Sequence, residues 1–185
     1  MPRRHPAQQP PLKLPRLWLI TDERMGDGLW RALAALPRGS GVIVRHYATP
    51  LAERRALLAK ITKLARRKGA IVIRAGGVRL GRERGVHGKG SIRRGQIRTW
   101  AAHSRAEALA GVRAGADLIF VSPVFATASH PGAPALGPIR AAQIMRGLPV
   151  PAIALGGMTK QRGLRLRRCG FYGWAAIDAW ITPRR

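Results

Sequence analysis

Side chains that bind anions and transfer protons follow the short apolar clusters of this sequence. Four of the five histidines and two of the eight acidic residues stand after such a cluster. The residues in these positions are Asp22, Arg45, His46, Arg74, His87, His103, Ser129, His130, Gly156, Gly157 and Asp178. Imidazole has an unperturbed pKa of about 6.5 and can act as both base and acid, while arginine holds carboxylates and phosphates. We therefore expect a site that binds an anionic molecule and moves a proton.

A glycine pair belongs to the most specific of these motifs. In Ala152–Thr159 an apolar strand pattern runs into Gly156-Gly157 and then into a threonine that can cap a helix. Glycine lets backbone N–H groups approach an anion closely, and a helix N-terminus carries positive dipole. The motif predicts a phosphate site, with a plain strand-to-helix turn that needs positive φ as the alternative.

Eight apolar, β-branched clusters predict eight strands. They are Leu17–Ile20, Val42–Val44, Ala70–Ile73, Gly85–Val86, Ile97–Ala101, Leu118–Val121, Ala152–Leu155 and Trp174–Ile177. Helical periodicity predicts helices over Asp27–Leu36, Thr49–Lys68, Arg105–Ala114, Pro138–Leu148 and Thr159–Cys169. Thr49-Pro50 is expected to cap the second helix, and Ser104 with Glu107 forms a capping box before the third.

The order of these elements predicts the architecture. Continuous apolar strands that alternate with helices favour a parallel sheet covered by helices. Eight such units predict a compact α/β fold, a (β/α)8 TIM barrel, with an open doubly wound parallel sheet as the alternative. Because Gly88–Gln96 is too short for a helical crossover and Ala179–Arg185 is a short tail, we expect two outer helices to be absent or vestigial. Barrels of this kind have their active sites at the C-terminal strand ends.

Composition excludes several classes of protein. Residues 1–15 contain five prolines and no hydrophobic period, which predicts a flexible leader before one barrel domain over residues 16–185. No apolar run is long enough to span a bilayer and the N-terminus lacks a secretory signal, so we expect a cytoplasmic protein. Cys169 is the only cysteine, which excludes an internal disulfide and a multi-cysteine metal site.

The positive charge bears on the partners of the protein. The sequence has 34 Lys and Arg residues against 8 Asp and Glu, a net charge of +26. Such a charge can attract small anions or bind nucleic acid without sequence specificity. The basic residues are scattered, however, and no nucleic-acid-binding motif or basic–aromatic interleaving is present. We expect nucleic acid as a non-specific partner at most and no membrane partner, and we leave a homo-oligomer open.

Five motifs carry a resemblance to a known family. They are Trp18–Asp22, Val42–Arg45, Gly85–His87, Gly115–Ser129 and Pro151–Met158, of which the last two are the most specific. Over residues 17–181 the chain resembles the thiamine-phosphate synthase and thiazole tautomerase family of (β/α)8 proteins. The resemblance implies an enzyme of thiamine biosynthesis that acts on a small phosphorylated heteroaromatic substrate.

The resemblance also implies roles for particular residues. The tautomerase branch has a histidine after strand 5, which His103 matches, so His103 would be the catalytic proton shuttle. Substrate or phosphate contacts are expected from Arg45, Arg74, Thr127, Ser129, His130, Gly156 and Gly157. Arg45 and Arg74 should point into the mouth of the barrel, where an anionic ligand or one of the few acids must meet them. Asp178 stands where the family often has serine and would put negative charge near the phosphate.

The acids that hold magnesium in the synthases of this family are missing. Arg74-Ala75 replaces the Asn-Asp pair after strand 3, and no acid follows His87 before Glu107. Magnesium needs oxygen ligands, usually one or two carboxylates with phosphate. We therefore expect neither magnesium nor another cofactor.

Three hypotheses follow for the function. The first is a metal-independent, tautomerase-like proton transfer on a thiazole phosphate. The second is a divergent thiamine-phosphate synthase that joins an aminopyrimidine pyrophosphate to a thiazole phosphate. The third is a catalytically decayed barrel that binds phosphorylated ligands or nucleic acid.

Overall fold

Eight parallel strands close into a barrel in the computed structural model, which describes residues 14–127, 132 and 134–180. Each strand pairs with its neighbours in the sequence, and the eighth pairs with the first. The strands are β1 Leu17–Ile20, β2 Gly41–Val44, β3 Ile71–Ala75, β4 Gly85–His87, β5 Ile97–Ala102, β6 Leu118–Val121, β7 Ala152–Ala154 and β8 Gly173–Ala176. The closed ring confirms the predicted (β/α)8 barrel and rules out the open sheet.

Five α-helices surround the described part of the barrel. They are α1 Gly28–Ala35, α2 Leu51–Arg66, α3 Arg105–Arg113, α4 Gly137–Met145 and α5 Lys160–Arg167. Each lies within a predicted helical segment or one residue from it. Two short 3-10 helices, Glu23–Met25 and Asp178–Trp180, complete the elements. None of the helices in the described ranges combines the length and apolar character needed to cross a membrane.

The cap expected for α2 is wrong. Pro50 itself occupies the position before the helix, with extended backbone angles, and no side chain caps the helix there. The helix therefore begins one residue later than expected, and Thr49 lies outside the cap position. The capping box before α3 is confirmed at its N-cap, because the Ser104 hydroxyl accepts a 3.2 Å hydrogen bond from the Glu107 amide.

Strand register separates the residues inside the barrel from those outside. Side chains alternate along a strand, and residues paired between neighbouring strands face the same side of the sheet. Trp18 pairs with Gly41, and a Cβ at Gly41 would lie 2.2 Å from the Trp18 ring, so the indole fills the interior beside this glycine. Phe120 packs against Trp18 from across the barrel, with ring centroids 5.5 Å apart. Side chains thus fill the interior below the C-terminal ends of the strands, and the open space of the barrel lies at those ends.

Three outer helices are missing from the described chain, one more than predicted. Residues 76–84 and 88–96, which are fully described, contain no helix, and the described chain after β8 forms only the 3-10 helix Asp178–Trp180. After β8, Trp180 stacks on Trp174 with ring centroids 4.9 Å apart and covers the outside of this strand. Between β3 and β4, Leu80 is the only buried apolar side chain of residues 76–84, so this segment has no apolar face that a helix could pack on the barrel.

Two arginines hold the helix-free loops against the outside of the barrel. Arg74, Val86 and Arg98 are neighbours in the register of β3, β4 and β5, on the side opposite the interior residue His87. The Arg74 guanidinium pairs with Glu83 at 2.9 Å, both side chains being fully buried, and also donates to the Ser91 carbonyl. Arg98 donates to two carbonyls of the loop after β4. These charge-assisted hydrogen bonds hold the loops to the strands, whereas packed helices cover the strands elsewhere in the barrel.

Replacing Arg74 with methionine should lower the free energy of unfolding by about 3–5 kcal/mol, because Glu83 would be left buried without its partner. Urea denaturation followed by circular dichroism measures the difference. Arg79→Met is the matched control, since Arg79 lies 3.9 Å from Glu83 but is 40% exposed, and it should cost less than about 1 kcal/mol. Equal effects of the two substitutions would contradict this role for Arg74.

Candidate active site at the mouth of the barrel

A cavity of about 520 Å³ opens at the C-terminal ends of the strands. Its wall is mostly apolar, and a few polar or charged groups and a glycine pair converge on it. These are Arg45, His87, His103, Thr127, Gly156, Gly157 and Asp178. A concave, largely apolar space with a few convergent polar groups is typical of a small-molecule site.

The predicted site residues divide into three groups. Arg45, His103, Thr127, Gly156 and Gly157 line the cavity together. Ser129 and His130 lie outside the described residues. Arg74 lies on the outer face and does not line the cavity.

The position of Arg74 corrects its predicted role as a phosphate ligand. Its guanidinium donates hydrogen bonds to Glu83 and to loop carbonyls, and its side chain has no exposed surface. The expectation that a rare acid meets this arginine holds, but on the opposite side of the strand from the mouth. The register could not be read from the sequence, because every residue of this strand from Val72 to Ala75 is buried.

Local hydrogen bonds fix His103 at the rim of the cavity. Its backbone N–H donates to the Glu107 carboxylate at 2.8 Å, so the start of α3 holds the residue in place. Its Nδ1 lies 2.7 Å from the Ser122 carbonyl oxygen. A carbonyl can only accept, so Nδ1 carries the proton, and the Nε2 of the neutral ring keeps its lone pair. His103 therefore has the tautomer that a general base needs.

His87 lies deeper in the same cavity. Its Nδ1 is 2.7 Å from the Thr99 hydroxyl, and its ring meets the edge of Phe120 with centroids 5.3 Å apart. Burial and then the nearby charge of Arg45 lower its pKa to about 4. The ring is therefore neutral at physiological pH. Its place at the end of strand 4 was visible in the sequence, but nothing there distinguished it from the other strand-end histidines.

His46 turns away from the cavity that His87 and His103 share. It is buried, adopts a positive φ of 30°, and its Nδ1 is hydrogen-bonded to the Thr21 hydroxyl at 2.8 Å. Desolvation lowers its pKa despite the nearby acids Glu23 and Asp22. A structural role in the turn after β2 accounts for these contacts.

Arg45 and Asp22 form an ion pair at the edge of the cavity. Asp22 also accepts a 2.8 Å hydrogen bond from Arg24 Nε and a 3.1 Å bond from the Arg24 amide. Burial opposes ionisation of Asp22, but the hydrogen bonds from Arg24 and the charge of Arg45 outweigh it and lower its pKa to about 2. The carboxylate is thus ionised and neutralised by arginine.

The glycine pair satisfies the requirements of a tight turn, and its position makes it a candidate phosphate site. Gly156 and Gly157 have φ of +95° and +56°, and Cβ atoms there would lie 2.7 Å from Pro123 and 2.3 Å from the Ala126 carbonyl oxygen. Close packing alone therefore demands glycine at both positions. Neither amide N–H donates to a described residue, and the pair lines the cavity shortly before the start of α5, where a helix N-terminus favours an anion.

The acids near the mouth do not fit a magnesium site. In the described part of the chain, no three His, Cys, Asp or Glu side chains come close enough together to hold a metal. Asp22 is paired with two arginines, and Glu83 is buried against Arg74. Asp178 is the remaining acid of the cavity wall. One exposed carboxylate without oxygen partners is a poor ligand set for Mg²⁺.

Replacing Asp22 with asparagine should cost roughly 1–2 kcal/mol of unfolding free energy at pH 6, allowing for the solvent exposure of its arginine partners. A lowered pKa stabilises the fold above the unfolded value of 3.8, and this contribution is lost as the pH falls toward about 2. The difference between the two proteins should therefore shrink between pH 5 and pH 2 in urea titrations. A difference that stays constant over this range would show that ionisation of Asp22 does not stabilise the protein.

Comparisons with known proteins agree with the fold and with the motifs. Residues 17–180 match the family described as thiamine monophosphate synthase. Thiamine-phosphate synthase from Chloroflexus aurantiacus is 36% identical over 85 residues, which is 44% of this chain and 38% of that protein. A putative thiamine-phosphate synthase 2 from Aquifex aeolicus is 34% identical over 82 residues, 44% of each chain. The chain thus spans about two fifths of the length of the curated relatives it matches.

A solved structure shows the same fold. Thiamine phosphate pyrophosphorylase from Pyrococcus furiosus superposes with a TM-score of 0.78 at 23% identity, covering 93% of this chain and 89% of that one. At this identity the likeness is one of architecture. Because the family match extends over nearly the whole chain, the protein belongs to the thiamine monophosphate synthase family.

Proposed function

We propose that this protein is an enzyme of thiamine biosynthesis that transfers a proton on a thiazole phosphate without a metal ion. The observation that carries the proposal is the tautomer of His103, whose Nδ1–H donates to the Ser122 carbonyl and whose Nε2 is left as a base at the cavity rim. Family membership supports the pathway, and the cavity supports the substrate class, a small heteroaromatic phosphate.

The reaction requires one base and no redox partner. His103 Nε2 removes a proton from a carbon of the bound ring or its substituent, and the electron pair of the broken C–H bond moves into the conjugated system. The imidazolium then returns the proton at a second position. An imidazole suits both steps, because it accepts a proton in its neutral form and donates it again as imidazolium.

The phosphate would bind at the glycine pair. Gly156, Gly157 and Thr127 line the cavity, and the amide N–H groups of the two glycines donate to no described residue. Arg45 adds positive charge, partly offset by Asp22. Ser129 and His130 are proposed as further phosphate contacts.

Replacing His103 with asparagine should lower the rate of isomerisation by roughly two to four orders of magnitude, because the general base is lost. The asparagine amide can still donate to the Ser122 carbonyl, so affinity for thiazole phosphate should change little. Nuclear magnetic resonance of the substrate measures the rate, and calorimetry measures the affinity. A parallel loss of rate and affinity would make His103 a binding residue and refute its role as the proton shuttle.

The condensation of an aminopyrimidine pyrophosphate with a thiazole phosphate is the alternative reaction. Family membership favours it, whereas the pairing of Asp22 with two arginines beside the cavity disfavours it. Release of pyrophosphate that depends on magnesium would support this alternative.

Non-specific binding of nucleic acid is a second candidate function, which would use the basic surface of the protein. Residues 79–98, which run from the loop after β3 through β4 to the start of β5, contain seven Lys and Arg residues, and their one acid is the buried Glu83. Affinity for unrelated RNA that falls steeply with salt concentration would support this candidate.

A further inference from the structure

We infer that His87 is a neutral hydrogen-bond donor at the floor of the cavity, which binds an acceptor atom of the ligand ring while His103 faces the proton to be moved. The identity of the ligand rests on the proposed function, but the donor assignment rests on the geometry alone. The two histidines thus set which groups the ligand must present. It needs a hydrogen-bond acceptor at its inner end, beside His87, and a donor or an acidic C–H at its outer end, beside His103.

The position of His87 follows from the register of the barrel. His87 pairs with Thr99 on β5, and both side chains face the interior. His103 follows β5 four residues beyond Thr99, which places it about 13 Å further along the strand direction. His87 therefore lies at the floor and His103 at the rim, and both line the same cavity.

The buried hydroxyl of Thr99 decides which nitrogen of His87 carries the proton. Thr99 is fully buried, and the His87 Nδ1 is the one hydrogen-bond partner of its hydroxyl among the described residues. If Nδ1 carried the proton, the hydroxyl hydrogen would have no acceptor, which is costly in the interior. Thr99 therefore donates to Nδ1, and the proton of the neutral ring lies on Nε2.

The Nε2–H of His87 is available to a ligand. It makes no hydrogen bond to a described residue, and it is not among the buried polar atoms without partners, which in the described chain are Nε of Arg54 and of Arg74. The atom is therefore open to the cavity that the ring lines. A donor that faces a mostly apolar space selects a ligand with an acceptor at that point.

His87 and His103 present opposite polarity to the cavity. The Ser122 carbonyl fixes His103 with a free lone pair on Nε2, whereas the Thr99 hydroxyl fixes His87 with a proton there. The charged groups that line the same space are Arg45 from the end of β2 and Asp178 after β8. Burial and the charge of Arg45 hold the pKa of His87 at about 4, so the donor does not become a cation at neutral pH.

The ligand class follows from this arrangement. Its ring must present an acceptor, such as an unprotonated ring nitrogen, to His87, and its exchangeable proton must lie toward His103. A cavity of about 520 Å³ has room for one ring with a phosphorylated side chain. A heteroaromatic phosphate with a basic ring nitrogen meets these requirements.

The donor assignment is tested on the unliganded, full-length protein. Nitrogen-15 labelling of the imidazole rings, with the two signals assigned through His87→Gln and His103→Asn, reports the tautomer of each ring. We expect His87 as the Nε2–H tautomer from pH 8 to pH 5 and His103 as the Nδ1–H tautomer at high pH. Finding the proton on Nδ1 of His87, or protonation of this ring near pH 6.5, would overturn the inference. In Thr99→Val the His87 ring should lose its single tautomer.

Affinity for thiazole phosphate tests the consequence. Glutamine at position 87 can place an amide N–H near the Nε2 position, whereas leucine fills the space without a donor. We expect His87→Leu to weaken binding about tenfold or more and His87→Gln to restore most of it. If His87→Leu binds thiazole phosphate as tightly as the unmodified protein does, the His87 ring serves only packing and the inference fails. If the unmodified protein binds no thiazole phosphate, the proposed function fails, while the tautomer experiment still decides the donor assignment.

Discussion

Closure of the strand ring is the constraint on which the site depends. Because β8 pairs with β1 and the register is continuous around the barrel, the inward or outward direction of each strand residue is fixed by that of its neighbours. The ring of Trp18 over Gly41 fills the lower interior and leaves the space at the C-terminal ends open. Arg45, His87 and His103 line one cavity because each lies at or directly after the C-terminal end of a different strand.

The chain achieves this closure with few helices. Where two outer helices are missing in succession, after β3 and after β4, guanidinium groups of Arg74 and Arg98 hold the loops to the strands. Arg74 lies on the outer face, and Glu83 is buried there as its ion-pair partner. Arg74 therefore supports the outer face of the barrel, and the proposed chemistry rests on the histidines and glycines that line the cavity.

Much of the fold and part of the site could be predicted from the sequence, for identifiable reasons. The eight strands and five helices were visible because apolar clusters and helical periodicity alternate clearly, and His103 stood out beside the capping box of Ser104. The direction of Arg74 was not visible, since a strand buried on both faces has no polar alternation to set its phase. The opposite tautomers of His87 and His103 depend on Thr99 and Ser122, which approach them only through strand pairing.

Calorimetric titration of the purified protein with thiazole phosphate shows whether the cavity binds this ligand without a metal ion. The titration is carried out at moderate salt, once with a chelator and once with magnesium chloride. We predict saturable binding at one site with the same affinity in both solutions, because we propose that the cavity binds the phosphate through backbone N–H groups and the ring through histidine. Binding that appears only with magnesium, or no binding in either solution, would contradict it.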